Sequence, residues 1–205
     1  MNHDSKALFF DGIASKWDGW EDLFGLERKL DAGLNAFGLR EDEHVLDVGC
    51  GTGNLTRALL KRLSPRGRVT AVDLSSEMLK TARQKISDAR VTWHHGDVAT
   101  LPVADGAIDR IICFSVWPHF DDYGAVLRTF WRALRPAGVL HIWHLASRET
   151  INEVHATAGD AVRNDVLAPV ADTRRLLELA GFEPFIATED DTHYLISAIK
   201  MPLFS

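Results

Sequence analysis

Val45-Leu46-Asp47-Val48-Gly49-Cys50-Gly51-Thr52-Gly53 is an apolar run that ends in a glycine-rich turn. One helical segment later, Val69-Thr70-Ala71-Val72-Asp73 is a second apolar run, and it ends in an acid. Strand, glycine turn, helix, strand and terminal carboxylate build a pocket for an adenosine-containing cofactor. The glycines let backbone approach the ligand and take positive φ where a side chain would clash. Asp73 falls where a carboxylate can accept hydrogen bonds from both ribose hydroxyls.

Asp47 discriminates between cofactors. A pyrophosphate would meet like charge from a carboxylate placed just before the turn. A sulfonium with an amino-acid tail brings positive charge and an ammonium, so Asp47 argues for S-adenosylmethionine over a dinucleotide.

Outward from this stretch the chain reads as alternating strands and helices. Leu23, Leu26, Leu30, Leu34 and Phe37 have helical spacing and predict an amphipathic helix near residues 20–37. Strands are predicted at 44–48, 68–73 and 91–94, with a buried one over Ile108 to Phe114. Leu55, Leu59 and Leu63 mark the helix after the glycine turn, and Ser75 or Ser76 with Glu77 suits a helix amino-cap. A helix over 121–134 is expected to stop at Arg135-Pro136-Ala137-Gly138, which turns into a strand over Val139 to Leu145. Residues 146–170 read as a helical excursion and 172–180 as a further helix. Strands at 182–188 and 193–200 form an antiparallel pair around Asp190-Asp191. The expected fold is α/β: a Rossmann-like, doubly wound, seven-stranded sheet, mostly parallel, with an antiparallel strand near the carboxyl terminus.

With 205 residues the chain is expected to form one domain, 1–205. The formal net charge of −6 weighs against a general nucleic-acid surface, and no apolar run is long enough for membrane insertion. Two cysteines, Cys50 and Cys113, suggest no disulfide framework, so the cytoplasm is the expected location.

Asp47 to Gly53, Asp73 and Gly96-Asp97-Val98 resemble the class I S-adenosylmethionine-dependent methyltransferases, in particular the small-molecule type that includes the quinone-biosynthesis C-methyltransferases. The resemblance covers roughly residues 7–145. It implies that Asp47, Gly49 and Gly51 line the methionine and ribose end of the cofactor. It places the ribose hydroxyls on Asp73 and packs Leu74 on the adenine. Asp97 would accept from the exocyclic amine, Val98 would offer its N–H to a ring nitrogen, and Phe114 and Ser115 would lie beside the methionine. Phe9 to Asp18 resembles the family's lid segment within amino-terminal helices over 1–40, although Phe9 and Trp17 also suit plain packing of a helix. Leu145 to Asn152 departs from the quinone enzymes and puts a quinone acceptor in doubt.

In open α/β sheets, ligands bind outside the carboxyl ends of the strands. His119 and His144 fall at such ends and are the candidates for orienting or deprotonating an acceptor. Arg148, Asn152 and His155 recur along one helix face of the excursion, which could lie over an acceptor pocket together with Trp117. A sharper alternative brings His119, His144 and His155 together as a three-histidine metal site. The favoured function is methyl transfer from S-adenosylmethionine to a small-molecule acceptor, with S-adenosylhomocysteine as product. The rival is a protein that binds the cofactor without turnover, as a sensor or as the partner of a catalytic subunit.

Overall fold

Strands and helices alternate through the computed structural model, which describes residues 3–201. The first helices are α1 (His3–Trp17) and α2 (Leu23–Ala36). There follow β1 (His44–Val48), α3 (Asn54–Arg62), β2 (Arg68–Asp73), α4 (Ser76–Lys85) and β3 (Val91–His95). The chain continues through β4 (Ile108–Phe114), α5 (Tyr123–Ala133), β5 (Leu134–His144), α6 (Arg148–Ala158), α7 (Val170–Leu179), β6 (Phe182–Glu189) and β7 (Tyr194–Lys200). The strand order is β3-β2-β1-β4-β5-β7-β6, in one seven-stranded sheet. β7 runs antiparallel to both of its neighbours, β5 and β6. The fold class read from the sequence is the one observed.

Two compact units divide the chain, one ending at Asp97 and the other beginning at Val98. In the first, β1 and β2 pair in parallel from His44 opposite Arg68 to Val48 opposite Val72, and β2 pairs in parallel with β3. Val45, Leu46, Val69 and Ala71 have no exposed surface, which is why these runs are apolar at successive positions instead of alternating. Helix ends are marked by short polar side chains. Asp22 accepts the Gly25 N–H, and Ser75 Oγ accepts the Met78 N–H. Each such cap stabilises its helix by about 1 kcal/mol.

In the second unit β4 and β5 pair in parallel, and β5 continues antiparallel onto β7. Phe130, Leu134, Leu140, Ile142, Leu177 and Ile196 form its buried core. One polar rung crosses it: Arg110 donates to His141 Nε2 (2.6 Å), and His141 Nδ1 donates to Ser197 Oγ (2.8 Å).

Two expectations are corrected here. β5 begins at Leu134, not at Val139, because Leu134 pairs with Ile108 before the register shifts and Val139 pairs with Arg110. The stretch expected to be a turn is a bulge inside the strand, with Ala137 at φ 59°. Proline lacks an N–H for the ladder and is accommodated at such bulges. The excursion over 146–170 is helical only through Ala158: Gly159 (φ 147°) ends α6, and residues 159–169 form irregular turns up to Pro169, which caps α7.

Candidate functional site

The glycine turn is held from both sides. Gly49, Gly51 and Gly53 take φ of 63°, 53° and 85°, the left-handed region that side chains disfavour. Asp73 closes the turn from the end of β2. Its Oδ2 accepts the Gly51 N–H at 2.8 Å, and its Oδ1 accepts the Ser75 N–H at 2.8 Å. Leu74, which follows it, is half-buried, and its carbonyl accepts from His95 Nε2 at 3.0 Å. The Asp73 carbonyl accepts the Gly96 N–H at 2.9 Å, so the ends of β2 and β3 stay in step ahead of the half-buried Asp97.

Asp47 lies beneath the turn and is almost completely buried. Thr56 Oγ1 donates to its Oδ2 at 2.6 Å, while Oδ1 has no hydrogen-bond partner among the described residues. Burial pushes its carboxyl up to about 7; the Thr56 hydroxyl opposes that rise and the nearby Asp73 charge adds to it. Asn54 Oδ1 is a second buried oxygen left without a partner beside the same turn. A Cβ added at Gly51 would meet nothing within 4 Å, whereas one at Gly53 would come within 2.9 Å of Ile86 Cδ1. Gly53 therefore serves packing, and Gly51 faces open space. Orphaned oxygens, an acid inclined to ionise beside a cation, and open backbone at a helix amino terminus fit the ribose and charged methionine end of S-adenosylmethionine.

Sequence reasoning missed the role of two acids near the amino terminus. Asp18 Oδ1 accepts from Thr52 Oγ1 (2.6 Å) and Asn54 Nδ2 (3.2 Å), and Oδ2 pairs with Lys85 Nζ (2.6 Å). Asp11 Oδ1 accepts from Ser75 Oγ at 2.6 Å and the Glu77 N–H at 3.0 Å. These bonds dock α1 on the turn and on the start of α4. The rings of Phe9, Phe10, Trp17 and Trp20 pack along the same segment, Phe10 T-shaped against both Phe9 and Trp17, and Trp17 tilted on Trp20.

In the second unit β4 runs into Ser115, an exposed non-glycine residue at φ 54°, whose N–H donates to the Trp143 carbonyl. Backbone strain of this kind clusters at functional sites. Phe114, just before it, is half-buried with its ring 5.0 Å from that of Trp143, and Val98, where the unit begins, is buried. His119 follows in a short 3-10 turn, with Nδ1 2.7 Å from Asp165 Oδ2. Its ring lies 4.7 Å from that of His155, whose Nδ1 donates to the Asp165 carbonyl at 2.5 Å. His155, expected along one face of the excursion helix, is part of this cluster. Asp165, only 6% exposed, carried no signal in the sequence, because it falls in the irregular turns 46 residues beyond His119.

His144 is buried at the end of β5 against the edge of Tyr194, and its Nε2 has no partner among the described residues. Burial, with His119 and His155 nearby, brings its imidazole down to about 3. Lowered this far, the imidazole is uncharged near neutral pH. Three further candidates have structural partners. Trp117 is 1% exposed and packs on Phe120 and Tyr123. Asn152 brackets Leu167, accepting its N–H at 2.8 Å and donating to its carbonyl at 3.2 Å. Arg148 Nε donates to Glu189 at 3.1 Å. Among the described residues no group of three His, Cys, Asp or Glu side chains is placed to hold a metal ion. The Nδ1 atoms of His119 and His155 are both engaged by Asp165.

The family model described as a methyltransferase domain matches residues 45–138. The chain is 30% identical over 148 residues to a malonyl-[acyl-carrier protein] O-methyltransferase of Priestia megaterium, covering 72% of this chain and 53% of that protein. It is 31% identical over 143 residues to a demethylmenaquinone methyltransferase of Staphylococcus aureus, covering 68% and 59%. The chain thus spans little more than half the length of these curated relatives. The crystal structure of a SAM-dependent methyltransferase from Aquifex aeolicus has the same fold, with a TM-score of 0.75 at 24% identity over 92% of this chain and 98% of that one.

Proposed function

Because the chain belongs to the class I S-adenosylmethionine-dependent methyltransferases, we propose that it is an enzyme carrying a methyl group from S-adenosylmethionine to a small-molecule acceptor, with residues 1–205 working as one domain. The observation that carries this reading is the glycine turn clamped by Asp73 over a buried Asp47 with an oxygen to spare.

Asp47, Gly49 and Gly51 would hold the methionine and ribose end, and Asp73 the ribose hydroxyls. Leu74 would pack on the adenine, with Asp97 and Val98 at its polar edge and Phe114 beside the methionine. When bound, the cofactor supplies a methyl carbon already activated by a positively charged sulfur. Positioning then accounts for much of the rate. What the chain's own residues must add is an oriented acceptor and, where that acceptor carries a proton, a base. His119, held by Asp165, is suited to be the base, and the neutral His144 to orient. The net charge of −6 supports a small acceptor over a nucleic acid.

Methyl-labelled S-adenosylmethionine with size-fractionated extract of the source cells tests this, alongside calorimetry of cofactor binding. Label in the low-mass fraction is expected. Label on protein or nucleic acid overturns the acceptor class, and binding without transfer favours a sensor or partner subunit.

A further inference from the structure

On the methyltransferase reading above, we infer that Tyr194 on β7 and His144 on β5 form a subsite that selects the acceptor, taking an uncharged group with a carbonyl or hydroxyl oxygen and rejecting carboxylate and ammonium groups.

Strand register brings the two side chains together. β7 runs antiparallel to β5, and its first residue, Tyr194, pairs with the last residue of β5, His144. Their rings lie 5.8 Å apart at an interplanar angle of 89°. Both belong to the second unit, where Tyr194 has no exposed surface and His144 only 3%. Yet neither the Tyr194 hydroxyl nor His144 Nε2 has a hydrogen-bond partner among the described residues. Thr173 of α7 comes near that hydroxyl without completing the bond. Buried polar atoms are almost always bonded, so two orphans on facing residues mark a place that a polar ligand completes. The Tyr194 hydroxyl brings a donor, which an oxygen accepts. His144 Nε2 donates or accepts according to its tautomer, and carbonyl-bearing amides and hydroxyls suit both cases.

The surroundings decide the charge of that ligand. Burial, with His119 and His155 nearby, brings His144 down to about 3, and burial pushes the Tyr194 phenol well above its usual range. Tyr123, whose charge bears on Tyr194, is itself lifted to about 12 by burial and by Asp165 and Asp121. The subsite is thus lined by uncharged polar groups. Glu189, opposite Tyr194 on β6, is bonded to Arg148 at 3.1 Å, and Asp165 is bonded to His119 at 2.7 Å. A carboxylate or ammonium entering here sheds its water and must break one of these pairs to find a counter-charge. An uncharged oxygen gives up far less hydration and gains the bonds that the protein leaves open.

Benzamide, benzoate and benzylammonium are alike in shape and differ in charge, so they probe the subsite in protein loaded with S-adenosylhomocysteine. Nitrogen-resolved histidine spectra should show benzamide moving the His144 ring signals, with benzoate and benzylammonium binding at least about tenfold more weakly. Tyr194→Phe should weaken benzamide about five- to tenfold and leave S-adenosylmethionine affinity unchanged. It should also keep or raise Tm, because it removes a hydroxyl that nothing in the protein bonds. A structural hydroxyl, or one that holds a buried water, would instead lower Tm when removed. A lower Tm, undiminished benzamide binding in Tyr194→Phe, a preference for benzoate or benzylammonium, or no His144 response to benzamide overturns the inference and leaves methyl transfer standing. Failure to bind S-adenosylmethionine, or binding with no label transferred from it in cell extract, overturns the function itself, whatever the three probes do.

Discussion

Asp73 accepts the backbone N–H of Gly51 at 2.8 Å, so the acid that ends β2 holds the turn that follows β1. The same carboxylate accepts from Ser75, and both its oxygens are engaged before any ligand arrives. Asp73→Asn would turn an amide N–H₂ toward one of these two donors. Losing a charged hydrogen bond of this kind costs about 1.5–3 kcal/mol. The expected outcome is a cofactor dissociation constant weakened about 10–100-fold by calorimetry, with the helical circular dichroism retained.

Asp47 links pH to stability with a defined sign. Its carboxyl is raised from 3.8 to about 7 by burial. The folded protein thus binds a proton more tightly than the unfolded chain. This contribution is fully present below the unfolded value and is lost as pH climbs to the folded one. Within that window the slope is about 1.4 kcal/mol per pH unit. Asp47→Asn should remove this slope, so the variant melts higher than the parent at neutral pH and the difference closes in acid. Cofactor affinity should rise with pH through neutrality in the parent and stay flat and weak in the variant, since a cation favours the ionised carboxylate.

Asp18 joins α1 to the turn through Thr52, Asn54 and Lys85. Burial opposes its ionisation, but these partners outweigh it and hold the carboxyl below the usual carboxylate range. Its contribution is therefore present above the unfolded value and is lost as pH falls into acid. Asp18→Ala should raise KM for S-adenosylmethionine severalfold with little change in kcat, and should speed amide exchange in α1. Unchanged exchange would show that α1 is held elsewhere.

Two of the turn glycines, Gly51 and Gly53, should separate by function. Gly53→Ala meets both positive φ and the Ile86 and Ala82 side chains. A cost of about 2–3 kcal/mol, or roughly 4–12 °C in Tm, is expected. Gly51→Ala has open space for its Cβ and should cost only about 1 kcal/mol in stability. It should nevertheless lose most cofactor binding, because the methyl group occupies ligand space.

Strand positions, the glycine turn and the acid at its far side were legible because they are local. A run such as Ile108 to Phe114 must be a buried strand wherever it is placed, and Gly-x-Gly-x-Gly after a strand has few other uses. The Ser75 cap was legible for the same reason, since its bond reaches only to Met78. The bulge at Ala137 was not, because Pro136 and Gly138 are turn residues by composition, and only the pairing of Leu134 with Ile108 draws them into β5.

The sequence by itself thus determined the α/β class, the strand boundaries in the first unit and the cofactor's chemistry, all of which follow from hydrophobic period and from residues a few positions apart. Only the tertiary structure decided what surrounds His119, that His144 is held neutral, and that Trp117 belongs to the core. Those outcomes depend on contacts such as Asp165 against His119 and Tyr194 against His144, between residues about fifty positions apart. No local pattern encodes such a pair, because burial and charge act through space, and chain folding alone brings the partners together.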